Sequence, residues 1–117
     1  MRTVTIALAF AFAVSGTAVA SDKHGAYMVM GVGTKSCGSW LQDRQERSFA
    51  ELNDRAWISG YVTAYNEYVW PKQDVVQGTD TDGLAAWIDN YCTAHPLSDL
   101  SHAAEALIIE LKNRPHP

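Results

Sequence analysis

The chain has 117 residues, of which 47% are hydrophobic and 10% aromatic, and its formal net charge at pH 7 is −4. This length corresponds to one small domain with a modest hydrophobic core. The negative charge argues against binding to nucleic acid or to an anionic lipid surface, because both attract basic proteins.

Residues 1–20 have the pattern of a secretory signal peptide. Arg2 supplies the positive charge, residues 4–14 are apolar apart from Thr5, and Ala18 and Ala20 are small residues at the positions that signal peptidase reads. The apolar stretch is shorter than the roughly 20 residues that span a bilayer. We therefore predict cleavage after Ala20 and a periplasmic protein that has no membrane span after cleavage.

The next residues divide into an arm and the start of a helical domain. Residues 21–35 are rich in glycine and lack a helical period, so we predict an irregular N-terminal arm. Ser36 can cap a short first helix that contains Cys37, Trp40 and Arg44. Residues 36–113 are predicted to form a single all-α bundle of about four helices, and residues 114–117 a loose tail.

The second helix is predicted to be the longest, over residues 49–69. Ser48 and Glu51 have the spacing of a capping box, and Pro71 ends the helix. Its apolar and aromatic residues form one wide side, made of Leu52, Ala56, Trp57, Gly60, Tyr61, Ala64, Tyr65 and Tyr68. Glycine costs about 1 kcal/mol relative to alanine inside a helix, so we expect another helix to cross closely at Gly60.

The third helix is predicted to be the centre of the domain. Asp80 or Thr81 can cap its start, and Pro96 ends it. The residues expected to face the core follow helical spacing and are Leu84, Trp87, Ile88, Tyr91 and Cys92. The opposite face contains Asp82, Ala85, Asp89, Asn90 and Thr93. We expect Trp87 to be central to the core and Asp89 to contribute little to stability.

The last helix is predicted over residues 99–113, after a turn at Pro96. Its apolar residues again follow one helical face, and those expected in the core are Leu100, Ala103, Ala104, Leu107, Ile108 and Leu111. Cys37 and Cys92 are the only cysteines, and in an exported chain such a pair predicts one disulfide. Neither cysteine belongs to a C-x-x-C motif or to a ligand cluster, which favours a structural bond over a redox or metal site.

The sequence contains no convincing catalytic or metal-binding motif. Asp80 and Asp82 resemble the start of a calcium loop, but an apolar helix follows where further ligands are needed. The histidines lack the spacing of a zinc site, and His95 is expected to cap the end of the third helix. No serine lies in a G-x-S-x-G turn. We predict no catalytic residue, no metal, no cofactor and a protein that is not an enzyme.

Aromatic residues on and directly after the second helix are the predicted partner-binding site. They are Trp57, Tyr61, Tyr65, Tyr68 and Trp70. One helix buries only part of its circumference, so we expect some of these rings to remain exposed as a surface that contacts other proteins.

The chain resembles two groups of small exported helical proteins over about residues 36–111. It is similar to the HdeA/HdeB-like periplasmic acid-stress proteins in the CGSWL motif at residues 37–41, in Gly60 and Tyr61, and in Cys92 followed by His95 and Pro96. That resemblance implies an all-helical fold, one disulfide at such positions, and chaperone activity at low pH.

The second resemblance is to the Rap/Tai-type immunity proteins, which neutralise type VI secretion effectors in the periplasm. It lies in WISGYV at residues 57–62, in YCTAHP at residues 91–96, and in AAEALI at residues 103–108. Two functions are therefore expected, an HdeA-like chaperone of unfolded periplasmic clients or an inhibitor of one effector enzyme. Neither resemblance assigns a role to a particular residue, and a homodimer is left open.

Overall fold

The structure, a computed structural model, describes residues 27–71 and 73–115. The predicted signal peptide, the first part of the predicted arm and the end of the predicted tail lie outside these residues. A short 3-10 helix, Gly31–Thr34, precedes four α-helices: α1 (Cys37–Glu46), α2 (Phe49–Tyr68), α3 (Thr81–Ala94) and α4 (Leu100–Asn113). The described residues form no β-strand, and the prediction of a small all-α bundle is confirmed.

Each of the four helices begins with an oxygen-bearing side chain that accepts a hydrogen bond from a backbone N–H of the first turn. The capping residues are Ser36, Ser48, Asp80 and Asp99. This pairing satisfies donors that have no partner within the helix and fixes where each helix starts.

The predicted disulfide joins α1 to α3 in the centre of the core. Cys37 and Cys92 are both fully buried, and their Cα atoms are 4.8 Å apart. The structure thereby confirms the bond between the only two cysteines. A structural disulfide indicates a non-cytoplasmic environment. Among the described residues, no helix combines the length and the hydropathy that a membrane crossing requires.

The last helix has the buried face that its sequence predicts. The six residues expected in the core, Leu100, Ala103, Ala104, Leu107, Ile108 and Leu111, are all buried. In α3 the face is rotated relative to the prediction. Ile88 is fully buried and Ala85 is buried as well, whereas Trp87 and Tyr91 are only half-buried. The centre of α3 is therefore Ile88 and not Trp87.

The fully buried residues of α2 are not those of the wide apolar side predicted from the sequence. They are Asp54, Ile58 and Val62, one helical turn apart. The expected helix crossing at Gly60 is also absent from the described part of the chain, because a Cβ added there would meet no atom within 4 Å. The part of the apolar side around Gly60 consequently faces outward, whereas Trp57, Tyr61 and Tyr65 are half-buried and pack against the core.

The N-terminal segment, residues 27–35, leads into a backbone contact between the starts of α1 and α4. Ser36 and Asp99 form an isolated antiparallel bridge. On either side of it, the Cys37 N–H donates to the Ser98 carbonyl at 2.8 Å and the Leu100 N–H donates to the Lys35 carbonyl at 3.0 Å. These bonds fix the starts of α1 and α4 against each other.

Reduction of the disulfide is expected to destabilise the protein strongly. The cysteines are 55 positions apart, and opening a loop of that length restores about 4 kcal/mol of unfolded-state freedom. At ~4–8 °C per kcal/mol, the melting temperature should fall by tens of degrees in reductant. Thermal melts with and without reductant measure the effect, and two free thiols in the native, non-reduced protein would contradict the assignment.

Candidate functional site

Four of the five predicted partner-binding residues contact each other in two pairs, and the fifth ring is exposed. Trp57 and Tyr61 lie one turn apart on α2, with ring centroids 5.5 Å apart. Tyr65 stacks on Trp70 at 6.5 Å, with the ring planes 22° apart. Tyr68 belongs to neither pair and is 77% exposed. The five residues thus do not form a single continuous patch.

Trp57 holds the N-terminal segment against α2. Its indole N–H donates to the Met30 carbonyl at 2.8 Å. The backbone at Gly33 passes so close to the Trp57 ring that a Cβ at this position would overlap the ring and the Val29 side chain. Much of Trp57 is therefore already covered by the chain itself, and a partner would reach it fully only if the N-terminal segment moved.

Trp70 is held at the other end of α2, after the helix has ended. Its indole N–H donates to the Gln73 side chain at 2.8 Å, and the Lys112 ammonium of α4 lies 5.2 Å from the ring centroid. Next to it, Tyr68 and Val69 are exposed, Val69 by 60%. We call Tyr65, Tyr68, Val69 and Trp70 the aromatic end of α2, and it is the part of the predicted site that is open to a partner.

Sequence reasoning missed further exposed apolar side chains on α2. Phe49 is 88% exposed and Leu52 is 57% exposed. The prediction placed Leu52 on the wide apolar side of α2, and in the structure Leu52 belongs to the exposed part of that side. Asp54, Ile58 and Val62 recur at intervals of four, which is the spacing of one helical face. This spacing is a signal of the core face, but the acidic residue among them argues against burial.

Asp54 is buried because Lys35 of the N-terminal segment neutralises it. The Lys35 ammonium donates to both carboxylate oxygens of Asp54, at 2.8 and 2.7 Å, and to Asp43 of α1 at 2.7 Å. Asp54 has no exposed side-chain surface. One ammonium therefore joins the N-terminal segment, α1 and α2, and we call these three residues the Lys35 cluster.

The pKa values of the Lys35 cluster move in different directions. Hydrogen bonds from Lys35 and then from Ser48 lower the pKa of Asp43. Burial raises the pKa of Asp54, and the bonds from Lys35 only partly oppose it. Burial acts to lower the pKa of Lys35, but its bonds to Asp43 and Asp54 outweigh burial and raise it.

The carboxylate of Asp99 caps the start of α4. Asp99 accepts from the His102 backbone at 3.0 Å, from the Ser101 hydroxyl at 2.8 Å, and lies 2.8 Å from the His102 ring nitrogen. Burial opposes the charged form, but these hydrogen bonds prevail and lower the pKa of Asp99. The charged form of Asp99 therefore stabilises the start of α4.

Asp89 has a structural role that the sequence did not predict. It accepts from the indole N–H of the fully buried Trp40 at 2.7 Å and from the guanidinium of Arg44 at 2.8–3.2 Å. Arg44 also donates to Glu51 of α2 at 2.6 Å. The bonds to Asp89, more than those to Glu51, raise the pKa of Arg44 above its ordinary value. This network ties α1, α2 and α3 together.

The candidate metal and histidine positions are occupied by structural contacts. Asp80 caps α3, and Asp82 pairs with Arg55. As predicted, His95 lies at the end of α3, where its ring nitrogen is 2.9 Å from the Tyr91 carbonyl. Within the described ranges, no group of three or more His, Cys, Asp or Glu side chains is arranged to hold a metal ion.

No protein-family model matches this chain, and the searches of curated proteins and of solved structures found no match. The resemblance to the two families of small exported proteins therefore stays a prediction.

Replacing Asp89 with alanine is expected to cost about 1–3 kcal/mol of folding free energy, because a buried indole N–H and a guanidinium lose their acceptor. The matched control is Asp82→Ala. The Asp82 side chain is 82% exposed, and its surface ion pair should contribute under about 1 kcal/mol. Urea unfolding of both variants measures the difference, and equal losses would show that Asp89 does not brace the helices.

The pH dependence of stability is expected to differ in sign between two carboxylates of the Lys35 cluster. Asp43 has a lowered pKa, so it stabilises the fold above its unfolded pKa of about 4, and this stability is lost as pH falls through the folded value. Asp54 has a raised pKa, so its contribution is present below the unfolded value and is lost as pH rises through the folded value.

Two isosteric variants test these signs. Unfolding free energies measured from about pH 6 to pH 3 should fall less with acid in Asp43→Asn than in the parent protein, and more steeply in Asp54→Asn. A change in the same direction in both variants would contradict the assignment.

Proposed function

We propose that this is a non-catalytic periplasmic protein that binds other proteins through apolar side chains, in the manner of an HdeA-like acid-stress chaperone. The observation that supports it most directly is the aromatic end of α2, where Tyr68 and Val69 are exposed beside the Tyr65–Trp70 stack. Exposed apolar surface of this kind is typical of sites that contact proteins.

Two carboxylates, Asp43 and Asp99, would make the protein respond to acid. Asp43 and Asp99 have lowered pKa values, so their protonation below about pH 4 weakens the attachment of the N-terminal segment and the start of α4. Trp57, which the N-terminal segment partly covers, would then become available to an unfolded client. The buried disulfide would keep α1 and α3 joined while the rest loosens.

An immunity-type inhibitor of one effector enzyme is the second candidate. It is favoured by the exposure of Tyr68 and Val69 in the folded state, because a partner can bind this surface at neutral pH without prior loosening. The two functions therefore differ in the pH at which binding begins and in the number of proteins bound.

Suppression of client aggregation at low pH tests the first proposal. We expect the disulfide-bonded protein to suppress the aggregation of an acid-sensitive client between about pH 2 and 3 and to bind a dye for apolar surface there. The double variant Tyr68→Ser and Val69→Ser should suppress less. Leu97→Ser is the matched control, because Leu97 is 99% exposed in the turn after α3.

Two outcomes separate the candidates. If aggregation at low pH is unaffected while one periplasmic enzyme binds tightly at pH 7, the chaperone proposal is wrong and the inhibitor proposal replaces it. If Leu97→Ser weakens suppression as much as the double variant does, the aromatic end of α2 is not the binding surface.

A further inference from the structure

A cavity opens beside the Trp70 ring, where the chain leaves α2. Its volume is about 360 Å³, its walls are Val69, Trp70, Pro71 and Gln73, and we call it the Trp70 cavity. Ligand sites in proteins have volumes from about 300 Å³ upward and combine mostly apolar walls with a few polar groups that fix orientation. Three of the four walls are aliphatic or aromatic, so the cavity has the size and the character of a site for one apolar group.

The Trp70 wall is held in place by the chain itself. Its ring stacks on Tyr65, and its backbone N–H donates to the Tyr65 carbonyl at 3.0 Å. Its indole N–H donates to the side-chain oxygen of Gln73 at 2.8 Å, and the Gln73 backbone N–H donates to the Trp70 carbonyl at 3.2 Å. The cavity therefore exists before a ligand arrives, which lowers the cost of binding.

The loop that follows Trp70 is fixed by Asn66 of α2. The Asn66 amide accepts from the backbone N–H of the buried Val75 at 2.9 Å and donates to Asp74 at 3.0 Å. Asp74 also accepts from the Val76 N–H at 2.9 Å. These bonds hold the residues directly after Gln73 against α2, so the loop side of the cavity is fixed as well.

Two exposed polar groups at the Trp70 cavity are donors. Because the Gln73 oxygen accepts from Trp70, the Gln73 amide nitrogen remains available to a ligand, and it bonds to no acceptor in the described part of the chain. The Lys112 ammonium of α4 lies 5.2 Å from the centroid of the Trp70 ring. An amide nitrogen and an ammonium can only donate, so they favour a ligand group that accepts.

The positive charge of Lys112 has no carboxylate partner among the described residues. Three other cations each contact two carboxylates, and they are Lys35, Arg44 and Arg55. The carboxylates nearest in sequence to the cavity, Glu67 and Asp74, line a separate hollow that shares with it only Pro71 and Gln73. A negatively charged group beside Trp70 would therefore meet a cation that is not already neutralised.

We infer that the Trp70 cavity binds the C-terminal residue of a polypeptide whose last side chain is apolar. The side chain contacts Val69, Trp70 and Pro71, and the terminal carboxylate accepts from Gln73 and Lys112. The inference rests on the proposed function, because it takes the aromatic end of α2 as a surface that contacts proteins. It adds the chemistry of the group that is bound there.

A chain terminus fits the cavity better than an internal acidic residue does. In a terminal residue the side chain and the carboxylate leave the same Cα, so one cavity can receive both. In an extended internal segment, an acidic side chain next to an apolar one points to the opposite side.

The openness of the site also favours a chain terminus over a free organic acid. Val69 is 60% exposed, and Pro71 and Gln73 are exposed as well, so the cavity covers one end of a ligand. A pocket for a small molecule encloses about 70–90% of the ligand's surface. The residues that precede a bound terminus can extend into solvent without loss.

NMR titration of the full mature chain at pH 7 tests the inference. The chain has four tryptophans and hence four indole N–H signals, and Trp70→Phe identifies the one that belongs to Trp70. An acetylated tripeptide that ends in leucine with a free carboxylate should shift the Trp70 signal, with a dissociation constant of about 0.1–1 mM. The signal of the fully buried Trp40 should not move.

Matched peptides separate the two parts of the recognised group. The same peptide with a terminal amide should bind at least roughly fivefold more weakly, because it lacks the charge that faces Lys112. A peptide that ends in serine with a free carboxylate should bind at least roughly tenfold more weakly, because it lacks the apolar side chain.

Two variants test the donors. Gln73→Glu keeps an acceptor for the Trp70 indole but replaces the amide donors with a carboxylate, and it should weaken binding at least roughly fivefold. Lys112→Gln removes the cation and should weaken binding about two- to fivefold. Gln45→Glu and Arg47→Gln make the same charge changes at exposed positions that do not line the cavity, and they should bind like the parent. Circular dichroism checks that each variant is folded.

Three results would overturn the inference. The first is a Trp70 signal that stays in place with the leucine peptide at about 10 mM. The second is equal binding of the amide and the free-carboxylate peptides, or equal losses in Gln73→Glu and Gln45→Glu. The third is isocaproate, which has the leucine side chain and the carboxylate without a peptide, binding as tightly as the leucine peptide. The first two results would leave the low-pH aggregation test of the proposed function unaffected, and a failure of that test would leave binding at pH 7 unaffected.

Discussion

The junction between α1 and α3 fixes the position of the other elements. The buried disulfide joins Cys37 to Cys92, and one turn along α1 the Trp40 indole N–H donates to Asp89, one turn before Cys92 in α3. Arg44 reaches the same carboxylate from the next turn of α1. A covalent bond and a charged network at successive turns prevent the two helices from sliding past each other, so α2 and α4 pack on a pair whose register is already set.

The remaining elements are attached by contacts of a different kind. The Asp43 contact of the Lys35 cluster and the Asp99 cap depend on charged carboxylates, whereas the α1–α3 junction is covalent at its centre. Acid therefore acts unevenly on the molecule. It weakens the N-terminal segment and the start of α4 before it can separate α1 from α3, and this difference is the physical basis of the proposed acid response. At neutral pH the outward sides of α2 already present apolar surface, which is compatible with a permanent partner.

Much of the fold follows from local sequence patterns, but the orientation of α2 does not. The caps at Ser36 and Ser48 and the buried face of α4 are predictable, since each depends on residues within a few positions of one another. The face of α2 depends on Lys35, which neutralises Asp54 from 19 positions away and makes an acidic residue part of the interior. Because aromatic residues occur around much of α2, their pattern does not identify the core face. The role of Asp89 was likewise unforeseen because its partners, Trp40 and Arg44, are distant in sequence. The candidate site was only partly predictable, because an aromatic residue's type does not reveal whether the chain itself covers it, as it does Trp57.

The bridge between Ser36 and Asp99 has a consequence for the order in which the protein folds. The Lys35 carbonyl and the Cys37 N–H find their partners at Leu100 and Ser98, more than 60 positions later in the chain. During synthesis from the N-terminus, α1 therefore exists before the backbone groups that secure its first turn. The helix beginning at Leu100 must emerge before the N-terminal segment can settle, so folding is completed only after the start of α4 has been made. Such distant pairings are formed slowly because the intervening chain must first be ordered.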